Sequence, residues 1–477
     1  MDDYLIDQTT LTRTFHQATY HPANPVILPD QPWEQRGYTP TAMVYSDGVW
    51  YDPADHLFKM WYMCGFMTST CYATSTDGIQ WVKPSLNAVE TGTNLVSYDC
   101  RDSGTVWLDL AAHDPARRYK MFLSKGSLVL FVSADGIHWS KPVASSPPVA
   151  DRSTVYYDPF QRAWVYSLRY YTGKEDVRLY RKHPDPVEGL SWKPSDLVPW
   201  TQADALDSYV TASGSKVPQT ELYNLDATPY ESLMVGLFTV FQGDLQKEGY
   251  QKHNQIFIGF SRDGFHWERQ DHHPFIVEQQ EKGAWNWGNI QSAGGGFLVV
   301  GDQLYFYVSG REQSRTAGRN STGLATLRRD GFASMDAGDQ EGILTTRPLL
   351  FGGGSLFVNA AVSQGTLRVE VLDENGNVLE GYSRAHCMPL HTDSTMTEVQ
   401  WNNSSDLSFL SGKPVRFRFV LQNGSLYSFW ISSDMSGQSG GYVAGGGPGV
   451  SNPTDDDPVG DLWLFLQQIA RYIIFPY

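Results

Sequence analysis

The chain has 477 residues, 41% of them hydrophobic and only 18% charged, with a formal net charge of −16. That acidity argues against nucleic acid or an anionic membrane surface as a partner, and no apolar run reaches the length of a transmembrane segment. Fifteen Trp, 26 Tyr and 23 Phe favour strands over helices and suit a neutral ligand, sugars foremost.

The N-terminus, Met1-Asp2-Asp3-Tyr4-Leu5, shows no secretory signal. The expectation is a cytoplasmic protein, or an exported one whose signal lies outside the given chain. Residues 1 to 40 carry no repeat. Their stretch His21-Pro22-Ala23-Asn24-Pro25 reads as an extended lead-in, fit for a lid or for a strand that closes a ring.

From residue 41 onward one phrase returns. Ser-x-Asp-Gly-x-x-Trp occurs at Ser75 to Trp81, Ser133 to Trp139 and Ser261 to Trp267, with weaker echoes at Glu188 to Trp192 and Arg329 to Phe332. The spacing of roughly 50 to 75 residues is that of a four-stranded propeller blade with variable loops. Asp-Gly turns the chain at positive φ, and the Trp anchors the following strand. Asp77, Asp135 and Asp263 each occupy such a turn. Out of step with this phrase run short apolar strands, each ending in an Asp turn: Val49-Trp50-Tyr51-Asp52, Val106-Trp107-Leu108-Asp109, Val155-Tyr156-Tyr157-Asp158 and Tyr223-Asn224-Leu225-Asp226. Together the two phrases define five units, at 41–90, 100–145, 151–200, 220–272 and 285–337.

After Gly342 the pattern changes to period-two strands around the hairpin turn Asp373-Glu374-Asn375-Gly376, which reads as a β-sandwich. The residues from Met435 are rich in Gly, Ser, Pro and Asp, a linker composition, and end in an apolar, weakly amphipathic helix at Asp461 to Phe475. The expected fold is all-β: a five-bladed β-propeller at 1–340, a C-terminal β-sandwich at 342–435, and a flexible tail with a short terminal helix at 436–477. Of the four cysteines, Cys64 and Cys71 flank a short loop and stand open between a disulfide and two buried thiols. The other two are Cys100 and Cys387. No Cys-x-x-Cys occurs, so no structural zinc is expected. No cofactor or metal is expected either. His272-His273 is the one adjacent His pair.

In a propeller the residues that open each innermost strand converge on one funnel. Here these are Asp47, Arg101-Asp102, Asp151-Arg152, Glu221 and Asn289-Ile290-Gln291, and four of the five units place a carboxylate there. Glycoside cleavage needs two carboxyl groups of different pKa, one to protonate the leaving oxygen and one to attack carbon or activate water. Asp47, Asp102, Asp151 and Glu221 are the candidates for these groups. Arg101 and Arg152 are candidates for tuning a carboxylate or binding hydroxyls. Trp285 and Trp287, beside Asn289 and Gln291, are candidates for a sugar-stacking platform.

With its lead-in Asn24-Pro25-Val26, the strand Phe58-Lys59-Met60-Trp61-Tyr62, Arg101-Asp102, Glu221-Leu222-Tyr223-Asn224 and Trp285-Asn286-Trp287-Gly288-Asn289, the chain resembles glycoside hydrolases of families 32, 43 and 68, family 32 above all, over about residues 1–435. The resemblance implies a five-bladed propeller braced by a β-sandwich, and hydrolysis of a neutral oligo- or polysaccharide, furanosides included; since the family draws its carboxylates from the first, a middle and a later blade, it implies Asp47 as nucleophile or base, Asp102 or Asp151 as stabiliser and Glu221 as acid. The Trp-Met-Asn-Asp-Pro-Asn-Gly, Arg-Asp-Pro and Glu-Cys stretches of family 32 are not present intact, and Arg101-Asp102-Ser103 matches the second only in part, so fructan is not implied as the substrate. The Asp-Gly-x-x-Trp phrase also resembles the Asp box of sialidases, and because the aspartates of that box lie in turns remote from the chemistry, the resemblance implies that Asp77, Asp135 and Asp263 are structural. A carbohydrate-binding propeller without catalysis is the competing reading from another class.

Overall fold

The computed structural model describes residues 3–207, 220–242, 253–279, 281–287, 289–292, 294, 296–313, 318–402 and 405–456. Among these the chain is all-β, with only short 3-10 turns between strands, and no helix is long and apolar enough to cross a membrane. The expected terminal helix at Asp461 to Phe475 lies outside the described residues.

Two compact units form. Among the described residues the larger lies within 17–326 and 442–453, the other within 3–16, 327–441 and 454–456. In the larger unit five antiparallel sheets follow one another along the chain. The first is built on Leu57–Cys64, flanked on one side by Ala42–Met43 and Val49–Asp52 and on the other by Ser69–Ser75 and then Leu95–Ser97. The second runs Gly104–Leu108, Tyr119–Ser124, Ser127–Ser133, Ala144–Pro148, and the third Thr154–Asp158, Ala163–Tyr171, Asp176–His183, Val198–Gln202. The fourth has Thr220–Glu231, Leu233–Gln242 and His253–Ser261. The fifth runs Asn289–Ser292, Gln303–Arg311, Asn320–Arg328, with Leu298–Val300 also pairing Gln303–Arg311.

Successive sheets touch, and the fifth returns to the first. Trp50 meets Trp107 edge-on at 4.7 Å. The Val155 amide donates to Thr105 Oγ1, Thr154 Oγ1 donates to the Leu225 carbonyl, Ser292 Oγ donates to Asp226, and Arg311 donates to the Tyr45 hydroxyl. The lead-in completes the fifth sheet: Thr19–Tyr20 pairs with Thr326 and Ala325, and Ile27 bridges to Thr322.

The repeated Asp-Gly turns fasten neighbouring sheets. In each, the Asp side chain accepts the amides two and three residues on, as Asp77 does from Ile79 and Gln80 and Asp135 from Ile137 and His138. Gly78, Gly136 and Gly264 all sit at positive φ. The turn then docks on the preceding sheet. The Gly78 carbonyl accepts from Tyr307, the Gly136 carbonyl from the Trp61 indole, and the Asp263 carbonyl from Gln161. A Cβ on Gly136 would lie 2.5 Å from the Trp61 ring, so the close approach itself requires glycine.

Cys64 and Cys71 form a disulfide that joins the adjacent strands of the first sheet, resolving the alternative left open by spacing. Cys100 and Cys387 are free thiols. Two local expectations change. Tyr223 to Asp226 is not a short strand ending in a turn but the middle of the twelve-residue strand Thr220–Glu231, because flanking Leu222, Ala227 and Tyr230 are buried and continue the pairing. The Gly-rich segment after Met435 is not a free linker throughout. Tyr442–Val443 adds a strand to the fourth sheet, and Gly445 and Gly446 exchange backbone hydrogen bonds with Tyr51, Phe297 and Val299. The missing side chains that suggested flexibility are what let the segment lie flat on three strands.

In the smaller unit one sheet runs Ile6–Thr9, Gly342–Thr346, Val415–Gln422, Thr366–Asp373, and the other Thr12–Phe15, Ala333–Ala337, Gly424–Ser432, Ser355–Ala361, Asp393–Glu398. Both contribute to one apolar core, the first with Leu344, Val369 and Phe417 and the second with Leu356, Val358 and Leu426. The first sixteen residues thus supply a strand to each of these sheets.

Candidate active site

All five sheets of the larger unit send polar side chains into one cluster. Asp47, in the link between Ala42–Met43 and Val49–Asp52, is 1% exposed. Arg101 Nη2 donates to its Oδ2 at 2.5 Å, while Oδ1 lies over the bare Cα of Gly104 without a hydrogen-bond partner. Burial raises its pKa to about 6, against the pull of Arg101 and Arg152. Asp102, half-buried, accepts the Arg152 amide at 3.3 Å and adds a repulsive field at Asp47.

Arg152 is wholly buried at φ 59 and stacks its guanidinium 3.8 Å over the Tyr45 ring. Its Nη2 donates to Ser46 Oγ. Ser46 in turn belongs to a hub at Asp226, whose carboxylate accepts from Ser46 Oγ, Ser292 Oγ and the Asn224 amide, with distances of 3.1, 2.7 and 2.8 Å. Burial raises the Asp226 pKa despite these donors and the nearby Arg152. Asp226 ties the first, fourth and fifth sheets together from inside.

A second group lies on the third and fourth sheets. Arg169 forms ion pairs with both Asp151 and Asp176, the latter at 2.6 Å, and packs 4.8 Å over the Tyr223 ring. Asp176 is buried, and its amide donates to Glu221 Oε2 at 3.3 Å, which brings the two acidic residues together. Burial first, and the nearby carboxyl and charge of Asp176 next, push half-buried Glu221 up to about 7. A carboxylic acid still protonated near neutrality can donate a proton to a leaving oxygen. Tyr223 joins the two groups, since it feels the charges of Asp102, Arg152, Arg169 and Arg311.

The sequence-predicted residues divide accordingly. Asp47, Arg101, Asp102 and Arg152 share one group, and Asp151 and Glu221 the other. Gln291 donates to Asn289 Oδ1, both residues being buried on the fifth sheet. Trp285 is not an open platform: its ring lies against the bare Cα atoms of Gly310 and Gly323 and meets Tyr20 edge-on, so it is engaged in packing. Trp287 is half-buried. Asp176 and Asp226 escaped the sequence reading. Asp176 opens the second strand of a hairpin, and Asp226 sits mid-strand, positions that the search for residues opening inner strands does not visit. The signal for Asp226 was its place in a run of buried residues, where an unpaired carboxylate would be costly.

Away from this cluster, Asp204, Asp207 and His272 place carboxylate and imidazole atoms together. Arg269 already satisfies Asp207, and its bonds and charge hold that carboxyl below its ordinary range against the effect of burial. The group is an ion-paired brace rather than a cation site.

No known family model and no curated protein matches the chain. Among solved structures, a β-fructofuranosidase from Schwanniomyces occidentalis in complex with fructosyl-erythritol aligns at 12% identity and TM-score 0.38, over 87% of this chain and 96% of that one. A thermostable family-43 glycoside hydrolase aligns at 10% and 0.41, over 61% and 93%. The α-L-arabinofuranosidase of Podospora anserina in complex with cellotriose aligns at 11% and 0.39, over 65% and 98%.

Proposed function

We propose that the chain is a glycoside hydrolase, its larger unit a five-bladed propeller and its smaller one a β-sandwich. The cyclic order of sheet contacts and the core shared by the two remaining sheets support this architecture. The observation that carries the function is Glu221 held on the Asp176 amide next to that buried carboxyl, with half-buried Asp102 as a second carboxylate in a cluster fed by all five sheets.

Glu221 is the general acid. Its partner Asp176 keeps it protonated, and Arg169 holds Asp176 in place. Asp102 takes the role of base or nucleophile that sequence position suggested for Asp47, because Asp47 is enclosed and bonded to Arg101. Asp47 and Arg101 instead form a buried pair beneath Asp102. Asp151 is the outer anchor of Arg169 rather than a reacting group. The substrate is a neutral glycoside, with furanosides included in the search.

A screen of aryl furanosides and pyranosides against wild type, Glu221→Gln and Asp102→Asn tests the assignment. Loss of general acid catalysis should lower turnover by about 10²–10⁴-fold in Glu221→Gln. The loss should be smallest for substrates whose leaving group needs no proton. Wild-type turnover in Glu221→Gln removes Glu221 from the mechanism.

A further inference from the structure

The hairpin of Ala163–Tyr171 and Asp176–His183 ends in two adjacent tyrosines. Up to Leu168 its first strand is buried, yet Tyr170 is 52% and Tyr171 57% exposed. Cross-strand register places Tyr171 directly opposite Asp176 and Tyr170 opposite Val177. Residues opposed across an antiparallel pair share a face, and side chains two apart on one strand share it too. Tyr171, Arg169 and Asp176 therefore stand on one face, consistent with the Arg169–Asp176 ion pair. The Asp176 amide donates to Glu221 Oε2, so the acid's carboxyl ends at the very residue that the largely exposed Tyr171 opposes across the hairpin.

We propose that Tyr171 is a specificity-determining residue that stacks on the sugar ring on the leaving-group side of the scissile bond. The inference rests on Glu221 as the acid. A group that protonates the leaving oxygen lies on the side of the departing sugar, and the aromatic face next to it meets that sugar's C–H face. The substrate is then an oligosaccharide with at least one sugar beyond the cleaved bond. Small alkyl leaving groups would forgo the contact. Tyr171 thus supplies the stacking surface that Trp285, engaged in packing, does not.

The test uses calorimetric titration of the full chain carrying Glu221→Gln, which blocks turnover, with a panel of neutral furanose and pyranose monosaccharides and trisaccharides. Adding Tyr171→Ala should weaken the best trisaccharide about tenfold and leave monosaccharide binding unchanged. Tyr171→Phe, which keeps the ring, should bind as the parent does. In the otherwise wild-type chain, Tyr171→Ala should lower kcat/KM for the trisaccharide but not for the methyl glycoside of the same sugar. Equal trisaccharide affinity with and without the Tyr171 ring overturns the proposal, as does the absence of any sugar binding. Failure of the underlying acid assignment reads out separately, as full hydrolysis by Glu221→Gln.

Discussion

Replacing Asp176 by Asn should move the alkaline limb of the pH–rate profile to lower pH. Glu221 rises from its ordinary 4.5 to about 7, with burial the largest cause and the neighbouring carboxyl and charge of Asp176 the next two. Burial remains in the variant while both Asp176 contributions are weakened, so the Glu221 pKa falls part of the way back. The Arg169 guanidinium, relieved of Asp176, acts in the same direction. At pH 8 an acid of pKa 7 is about 9% protonated, and each unit by which the pKa falls lowers that fraction about tenfold, so kcat/KM at pH 8 should drop severalfold while the rate at pH 5 changes far less. The pH dependence of kcat/KM reports the free enzyme. Carbon-13 NMR of the labelled glutamate carboxyl titrates the same group without substrate. A wild-type Glu221 that titrates near 4.5, or an alkaline limb unmoved by Asp176→Asn, would refute the coupling of this pair.

Two further predictions concern the frame that carries the site. Asp52 is buried and bonded to Lys59, Tyr119 and Arg118, which together hold it at about 2 against the effect of burial; Asp52→Asn leaves buried Lys59 with the half-exposed Asp55 and the Tyr119 hydroxyl and should cost about 3 kcal/mol in urea unfolding. Because the folded pKa lies below the unfolded one, the stability from Asp52 is complete above about pH 4 and is lost as pH falls toward 2, so the variant's deficit should shrink in acid. Gly136→Ala places a methyl 2.5 Å from the Trp61 ring at φ 77 and should cost about 1–3 kcal/mol, visible as a lowered Tm with unchanged far-UV circular dichroism. An unaltered Tm would mean that the turn does not bear on the neighbouring sheet.

Much of the frame was legible because its determinants are local. A positive-φ glycine, an Asp that caps its own turn and a Trp three residues later announce themselves in any chain, and their recurrence marked the sheets before any coordinates. The strands that open near Asp102 and Thr154 were legible for the same reason, since a short apolar run between turn residues has few alternatives. The Gly-rich segment at 442–453 was misread because composition reports flexibility, whereas a strip of backbone free of side chains is also the easiest to lay across three strands.

The site was less legible, because proximity across sheets leaves no local trace. Sequence alone determined the residue types available, the phase of the repeats and hence that Asp47, Asp102, Asp151 and Glu221 open or begin inner strands. Only the tertiary structure decided that Arg101 closes over Asp47, that Arg169 draws Asp151 aside and that Asp176, 45 residues before Glu221, shares a hydrogen bond with it. Pairwise electrostatics and burial depend on distance in space, and the pKa values that separate an acid from a spectator carboxylate follow from them. The repeated Asp-Gly turn encodes where each sheet stands; what a carboxylate does there is set by the neighbours that the closed cycle of sheets brings to it.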